Sequence, residues 1–142
     1  MIIWLVDTGA LVAYLDADDP WHGRMAEAFA TGGAALWTTM PVVTEAMHML
    51  AEVRGGEAAL VEFLHRTRTT IHPMVDRTEL QRAVLLTNKY RSVPMDFADA
   101  SLVILAEQSG VREILTTDRR GFRVFRIHGR QSFSLISDNF GR

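Results

Sequence analysis

Five apolar residues in a row, Ile2 to Val6, end abruptly on Asp7-Thr8-Gly9. A run of this length without polar alternation suits a strand covered on both faces, as found in parallel sheets with helices on either side. The rest of the chain repeats the theme. Residues 35–39, 70–75, 113–117 and 124–128 read as further strands. Residues 10–15, 20–30, 41–53, 58–67, 78–91 and 96–108 read as helices, punctuated by Gly32-Gly33, Gly55-Gly56, Pro94 and Gly110. This alternation predicts an α/β chain built on a parallel sheet. No linker, low-complexity tract or repeat interrupts the 142 residues, so 1–142 is read as one domain.

Several function classes are excluded at once. The chain has no cysteine, which removes disulfides, thiolate metal sites and a cysteine nucleophile. Its apolar runs fall far short of the roughly 20 residues of a membrane helix. No basic residue precedes the first run, so it does not read as a secretory signal. A cytoplasmic protein with no membrane partner is the expectation. The net charge of −2 is not that of a typical nucleic-acid binder. The charge is unevenly spread, however. Asp7, Asp16, Asp18 and Asp19 open the chain without a base, while Arg112, Arg119, Arg120, Arg123, Arg126, Arg130 and Arg142 crowd its end.

In open parallel sheets, ligands bind beyond the carboxyl ends of the strands. Asp7 and Asp118 both follow predicted strands, although Asp is also a good helix N-cap and either residue suits that bland role. In the helix of 96–108, a projection at 100° per residue sets Asp99 between Leu102, Val103 and Ala106, on a helix apolar nearly all round. A carboxylate there is costly to ionise without a positive partner. Asp96 sits three residues earlier, in capping-box position. Glu45 stands at the edge of the apolar arc of its helix, beside Thr44, His48 and Glu52. Thr116 points to the same side of its strand as Asp118 and suits a supporting role. Carboxylates gathered at one sheet edge raise each other's pKa, and a hard divalent cation relieves that repulsion. The five histidines lack the spacing of metal ligands and read as surface or locally hydrogen-bonded residues.

At these residues the sequence resembles the PIN-domain ribonucleases, and among them the VapC-type toxins of toxin–antitoxin pairs. The matching stretches are LVDTGALVAYLD at 5–16, TTMPVVTEAMHML at 38–50, MDFADASLVILAE at 95–107 and ILTTDRRGF at 114–122. Asp7, Glu45, Asp99 and Asp118 fall at the family's acidic positions, Asp96 at an additional acid, and Thr8, Thr39 and Thr116 at its small hydroxyl positions. The resemblance implies a three-layer α/β/α fold around a parallel sheet of about five strands. It also implies Mg²⁺- or Mn²⁺-dependent cleavage of RNA, a homodimer, and a cognate antitoxin protein. In that reading Asp7, Asp99 and Asp118 are metal ligands and Glu45 completes the catalytic acids. Asp96, Thr8, Thr39 and Thr116 support them, and Arg119, Arg120 and Arg123 contact RNA phosphates. The alternative is a PIN-like module that binds RNA or protein without cleaving. An aspartyl-nucleophile phosphatase needs a second Asp at position 9, which is Gly. A receiver domain needs a Lys near the last strand, and the only lysine, Lys89, lies in a predicted helix.

Overall fold

The computed structural model describes residues 1–141. Its centre is the apolar run itself: β1 (Ile2–Val6) lies between β2 (Ala34–Thr39) and β4 (Glu113–Leu115). Outside these pair β3 (Thr70–His72) and β7 (Ser134–Leu135), giving one sheet of five parallel strands in the order β3-β2-β1-β4-β7. The chain moves outward from β1 through β2 to β3, then returns to the other side of β1 as β4. The sheet therefore reverses direction between β1 and β4, and the crevice at a strand-order reversal is where open α/β sheets bind ligands.

Helices flank this sheet. They are α1 (Thr8–Leu15), α2 (His22–Thr31), α3 (Met40–Leu50), α4 (Gly56–Arg66), α5 (Arg77–Lys89) and α6 (Phe97–Ser109). The expected burial of α6 is observed: Ala100 through Ala106 are all buried. Such a helix is hydrophobic all round because it has no wet face along its middle. Leu102, Val103 and Ala106 join Leu5, Leu11, Val42, Ile114 and Leu115 in the core. Gly110 ends α6 with φ +77, a left-handed conformation that glycine adopts without steric cost. Among the described residues no helix is long and apolar enough to cross a membrane.

The end of the chain departs from expectation. Residues 124–128 do not form a strand of the main sheet. Arg119–Val124 is a short helix, α7, and only β5 (Arg126–Ile127) is extended, pairing antiparallel with β6 (Gln131–Ser132) in a separate ribbon. Asp118 starts α7 by accepting the Gly121 N–H at 2.9 Å, and the helix buries Phe122 against Phe125 and Phe133. The fifth strand of the sheet is instead β7, joined to β4 at Glu113–Ser134 and Ile114–Leu135. A 3-10 turn at Ile136–Asn139 follows.

Candidate active site

Four carboxylates are placed by helix starts. Asp7 caps α1 (Ala10 N–H to Oδ1, 2.8 Å), Asp96 caps α6 (Asp99 N–H to Oδ1, 2.8 Å), and Asp118 caps α7. Asp99 completes a capping box by accepting the Asp96 N–H on Oδ2 at 3.2 Å. Capping and site membership are thus compatible, since a cap uses one carboxylate oxygen and leaves the other. The helix starts also turn their unpaired N–H groups toward these acids.

The β1–β4 crevice knits the acids together. The Asp7 N–H bonds the Leu115 carbonyl at 3.2 Å, and the Thr116 hydroxyl donates to Asp7 Oδ2. Thr116 Oγ1 in turn accepts the Asp118 N–H at 2.8 Å, and the Thr116 N–H reaches the buried Ser137 hydroxyl at 3.3 Å. One hydroxyl therefore ties the acid after β1 to the acid after β4. Gly121 stands beside them, where a Cβ would collide with the Asp118 carboxylate.

Their charges are unbalanced. Asp7 is only 4% exposed, and its pKa is raised to about 7. Burial away from water is the main cause. Hydrogen bonds from Thr116 and Ala10 oppose it, and the negative charges of Asp118 and Glu45 add to it. Asp99 is raised to about 8, first by burial, then by the charge of Asp96, with Asp7 contributing. Glu45 on α3 is raised by burial and by a hydrogen bond shared with the Asp96 carboxyl, while the Thr8 hydroxyl lowers it. The charges acting most strongly on these three acids are other acids.

An all-oxygen donor set with surplus negative charge fits a hard divalent cation such as Mg²⁺ or Mn²⁺. Among the described residues no group of three or more His, Asp or Glu side chains is placed to hold a metal ion, so the fit rests on the chemistry of the acids. The histidines behave as expected of local hydrogen-bonding residues: His22 meets the Ala13 carbonyl, His72 meets Glu79, and His128 meets Glu107.

Thr8 and Thr116 lie among the acids. Thr39 does not touch them, but it bonds the part of the fold that carries two of them. Its buried hydroxyl caps α3 by accepting the Val42 N–H at 3.3 Å and contacts the Ser101 hydroxyl at 2.6 Å. Ser101 donates to the Ala98 carbonyl. The link holds the start of α6, and so Asp96 and Asp99, against the end of β2. Thr38, also buried, donates to the Val6 carbonyl just before Asp7. Sequence reading missed Ser101, Thr38 and Ser137. Ser101 carried a usable signal, as a hydroxyl two residues after Asp99 on an otherwise apolar helix.

The three arginines divide. Arg119 and Arg123 both turn to Asp138 in the 3-10 turn, at 3.0 and 3.1 Å. The Arg119 contact lies off the N–H axis and is a charge contact rather than a hydrogen bond. The Arg119 guanidinium also lies 5.8 Å from the centre of the Trp21 ring. Arg120 is exposed beside Asp118.

Comparison with known proteins agrees with this architecture. The PIN domain family matches residues 4–127. Ribonuclease VapC26 of Mycobacterium tuberculosis (strain ATCC 25618 / H37Rv) is 32% identical over 134 residues, spanning 93% of this chain and 98% of that protein. The crystal structure of VapC20 from Mycobacterium tuberculosis, described as a sarcin–ricin loop cleaving toxin, shares the fold. It matches with a TM-score of 0.72 at 20% identity, covering 80% of this chain and 88% of that one. With the family match and the VapC26 relative each spanning most of its length, and with the acids at the β1–β4 crevice, this chain belongs to the PIN-domain family, in its VapC-type branch.

Proposed function

We propose that this chain is a divalent-metal-dependent ribonuclease that hydrolyses RNA phosphodiester bonds and serves as the toxin of a toxin–antitoxin pair. The observation that carries the reading is the pair of acids Asp7, buried at the end of β1, and Asp99, half-buried in the first turn of α6, raised to about 7 and about 8 chiefly by loss of water with acidic neighbours adding to it. The 32% identity to a named VapC ribonuclease supports the substrate class.

In this account Asp7, Asp99 and Asp118 would hold Mg²⁺ or Mn²⁺. A bound cation of this kind lowers the pKa of its water and neutralises charge developing on the phosphate. The chain's own residues do the rest. Thr116 orients the Asp7 carboxylate, and Asp7 and Asp99 would have to be ionised to hold the cation. Glu45 holds a proton more readily than an ordinary glutamate, which suits it to accept one from the attacking water. Asp96 keeps Asp99 at the head of α6, with Thr8 and Thr39 bracing the neighbouring elements. Arg120 offers its charge to the RNA backbone, joined by Arg119 and Arg123 on release from Asp138. Residues 1–142 act as one PIN-like domain, with a cognate antitoxin and a second copy of the chain as protein partners.

The ends of the RNA products test the chemistry. Water as nucleophile leaves a 5′-phosphate and a 3′-hydroxyl. A 2′,3′-cyclic phosphate means that the RNA's own 2′-hydroxyl attacked, and the proposed hydrolysis is then wrong.

A further inference from the structure

Beside the acids lies a groove of about 570 Å³ that the account above leaves unused. Met40, Met74, Leu80 and Phe97 supply its apolar lining, and Glu45 and Asp96 form part of its wall. Phe97 is 43% exposed and Met40 44%. Phe97 is the first residue of α6, directly after Asp96 and two residues before Asp99. Met40, Leu80 and Phe97 are all exposed and line the same groove, and a contiguous apolar patch of this kind marks an interaction site.

Building on the ribonuclease reading, we propose that this groove is a nucleobase subsite, in which Phe97 stacks a base next to the scissile phosphate. The charges on its wall decide the occupant. Glu45 and Asp96 repel a phosphate, so an RNA strand crossing the acids must turn its backbone away and can turn a base inward. A base is flat, aromatic and uncharged, and sequence-tolerant stacking on aromatic side chains is a general mode of single-strand recognition. The groove's polar lining is Thr44, Glu45, His48 and Asp96; beside the His48 ring, it offers the oxygens of two carboxylates and of the Thr44 hydroxyl, whose proton goes to the Met40 carbonyl. These accept hydrogen bonds, so a base edge that carries an amino group suits the rim best. The groove is also continuous with the site, because Glu45 and Asp96 belong to both.

The test starts from cut sites mapped on total RNA with wild-type protein. Synthetic oligoribonucleotides spanning one mapped site are then made, with an abasic residue replacing each base that flanks the cut in turn. These are cleaved by wild type, Phe97→Ala and Phe97→Trp. Phe97→Ala is expected to raise KM about tenfold with little change in kcat, and Phe97→Trp to restore it. One abasic position should cost wild type a similar factor and cost Phe97→Ala nothing. Equal abasic penalties in both proteins, or an unchanged KM in Phe97→Ala, would overturn the subsite while leaving the ribonuclease intact. Sedimentation of the same variants covers the competing occupant: if Phe97→Ala dissociates a dimer and higher protein concentration restores cleavage, the groove is a self-association face instead. A wild type that cuts no RNA removes the ribonuclease reading, and the subsite with it.

Discussion

The hydroxyl of Thr116 donates to the Asp7 carboxylate and at the same time accepts the Asp118 N–H. A single side chain thereby fixes the spacing of two acids that lie more than 100 residues apart and follow adjacent strands. Replacing Thr116 with Val keeps the shape and removes both bonds. The Asp7 carboxyl then loses its strongest stabilising partner, and its pKa moves further up. Thr116→Val is expected to lower cleavage about tenfold, the order seen when a hydrogen bond behind a ligand is removed. It should also move the acidic limb of the pH–rate profile to higher pH, with Thr116→Ser restoring both. A profile that keeps its shape in Thr116→Val would remove Thr116 from the site.

The raised acids make a prediction about stability without metal. Asp7 and Asp99 bind protons in the folded state up to about pH 7 and about pH 8, whereas their ordinary value is 3.8. Their contribution to stability is therefore fully present below about pH 4 and is lost as pH rises through 7 to 8. Glu79 and Glu107 are shifted down, so their contribution appears above the ordinary glutamate value and is lost only on acidification. In EDTA, the melting temperature should fall between pH 5.5 and 8.5. Asp99→Asn should flatten that fall and melt about 4 °C above wild type at pH 8.5, corresponding to roughly 1 kcal/mol. Mg²⁺ should raise the melting temperature of wild type and not of Asp99→Asn. Parallel melting curves for the two proteins would contradict the assignment.

Gly121 tests whether the position of Asp118 matters. Its φ is not in the left-handed region, so alanine suits the backbone, but a Cβ there collides with the Asp118 carboxylate and also presses on the buried Phe125 ring at 3.0 Å. Gly121→Ala is expected to melt within a few degrees of wild type and to lose cleavage about tenfold, because the carboxylate must swing aside. Full activity in a folded Gly121→Ala would show that Asp118 serves only as the cap of α7.

Arg119 and Arg123 pair with Asp138, and Arg120 is exposed. Arg120→Ala should weaken RNA binding by a similar factor for every sequence. It should also reduce the slope of log K against log salt by about 1, as for loss of one phosphate contact. An unchanged slope would return Arg120 to the solvated surface.

Most of the fold was legible where a local signal was strong. The run of Ile2–Val6 marked the central strand, and its end marked Asp7. The helical projection of 96–108 placed Asp99 on the inner face of a buried helix; α6 is buried from Ala100 to Ala106, while Asp99 itself, in the first turn, is half-buried. Glu45 was ambiguous because it sits at an arc boundary, and only packing against Thr8 and Asp96 resolves it. The chain's end was not legible for a physical reason. β5, β6 and β7 have two residues each, too few to show a period; β5 and β6 form a local hairpin, and β7 is placed by pairing with the distant β4. The capture of Arg119 and Arg123 by Asp138 is likewise a tertiary contact with no local signature.

The acids of the β1–β4 crevice are proposed to cut RNA with a divalent cation. The most direct test is cleavage of labelled total RNA by purified protein in Mg²⁺ or Mn²⁺, in EDTA, and beside an Asp7→Asn/Asp99→Asn protein purified identically. The account predicts discrete cuts with metal, none in EDTA, and at least a hundredfold loss in the double variant. Equal cleavage by the double variant, or cleavage that persists in EDTA, would contradict it.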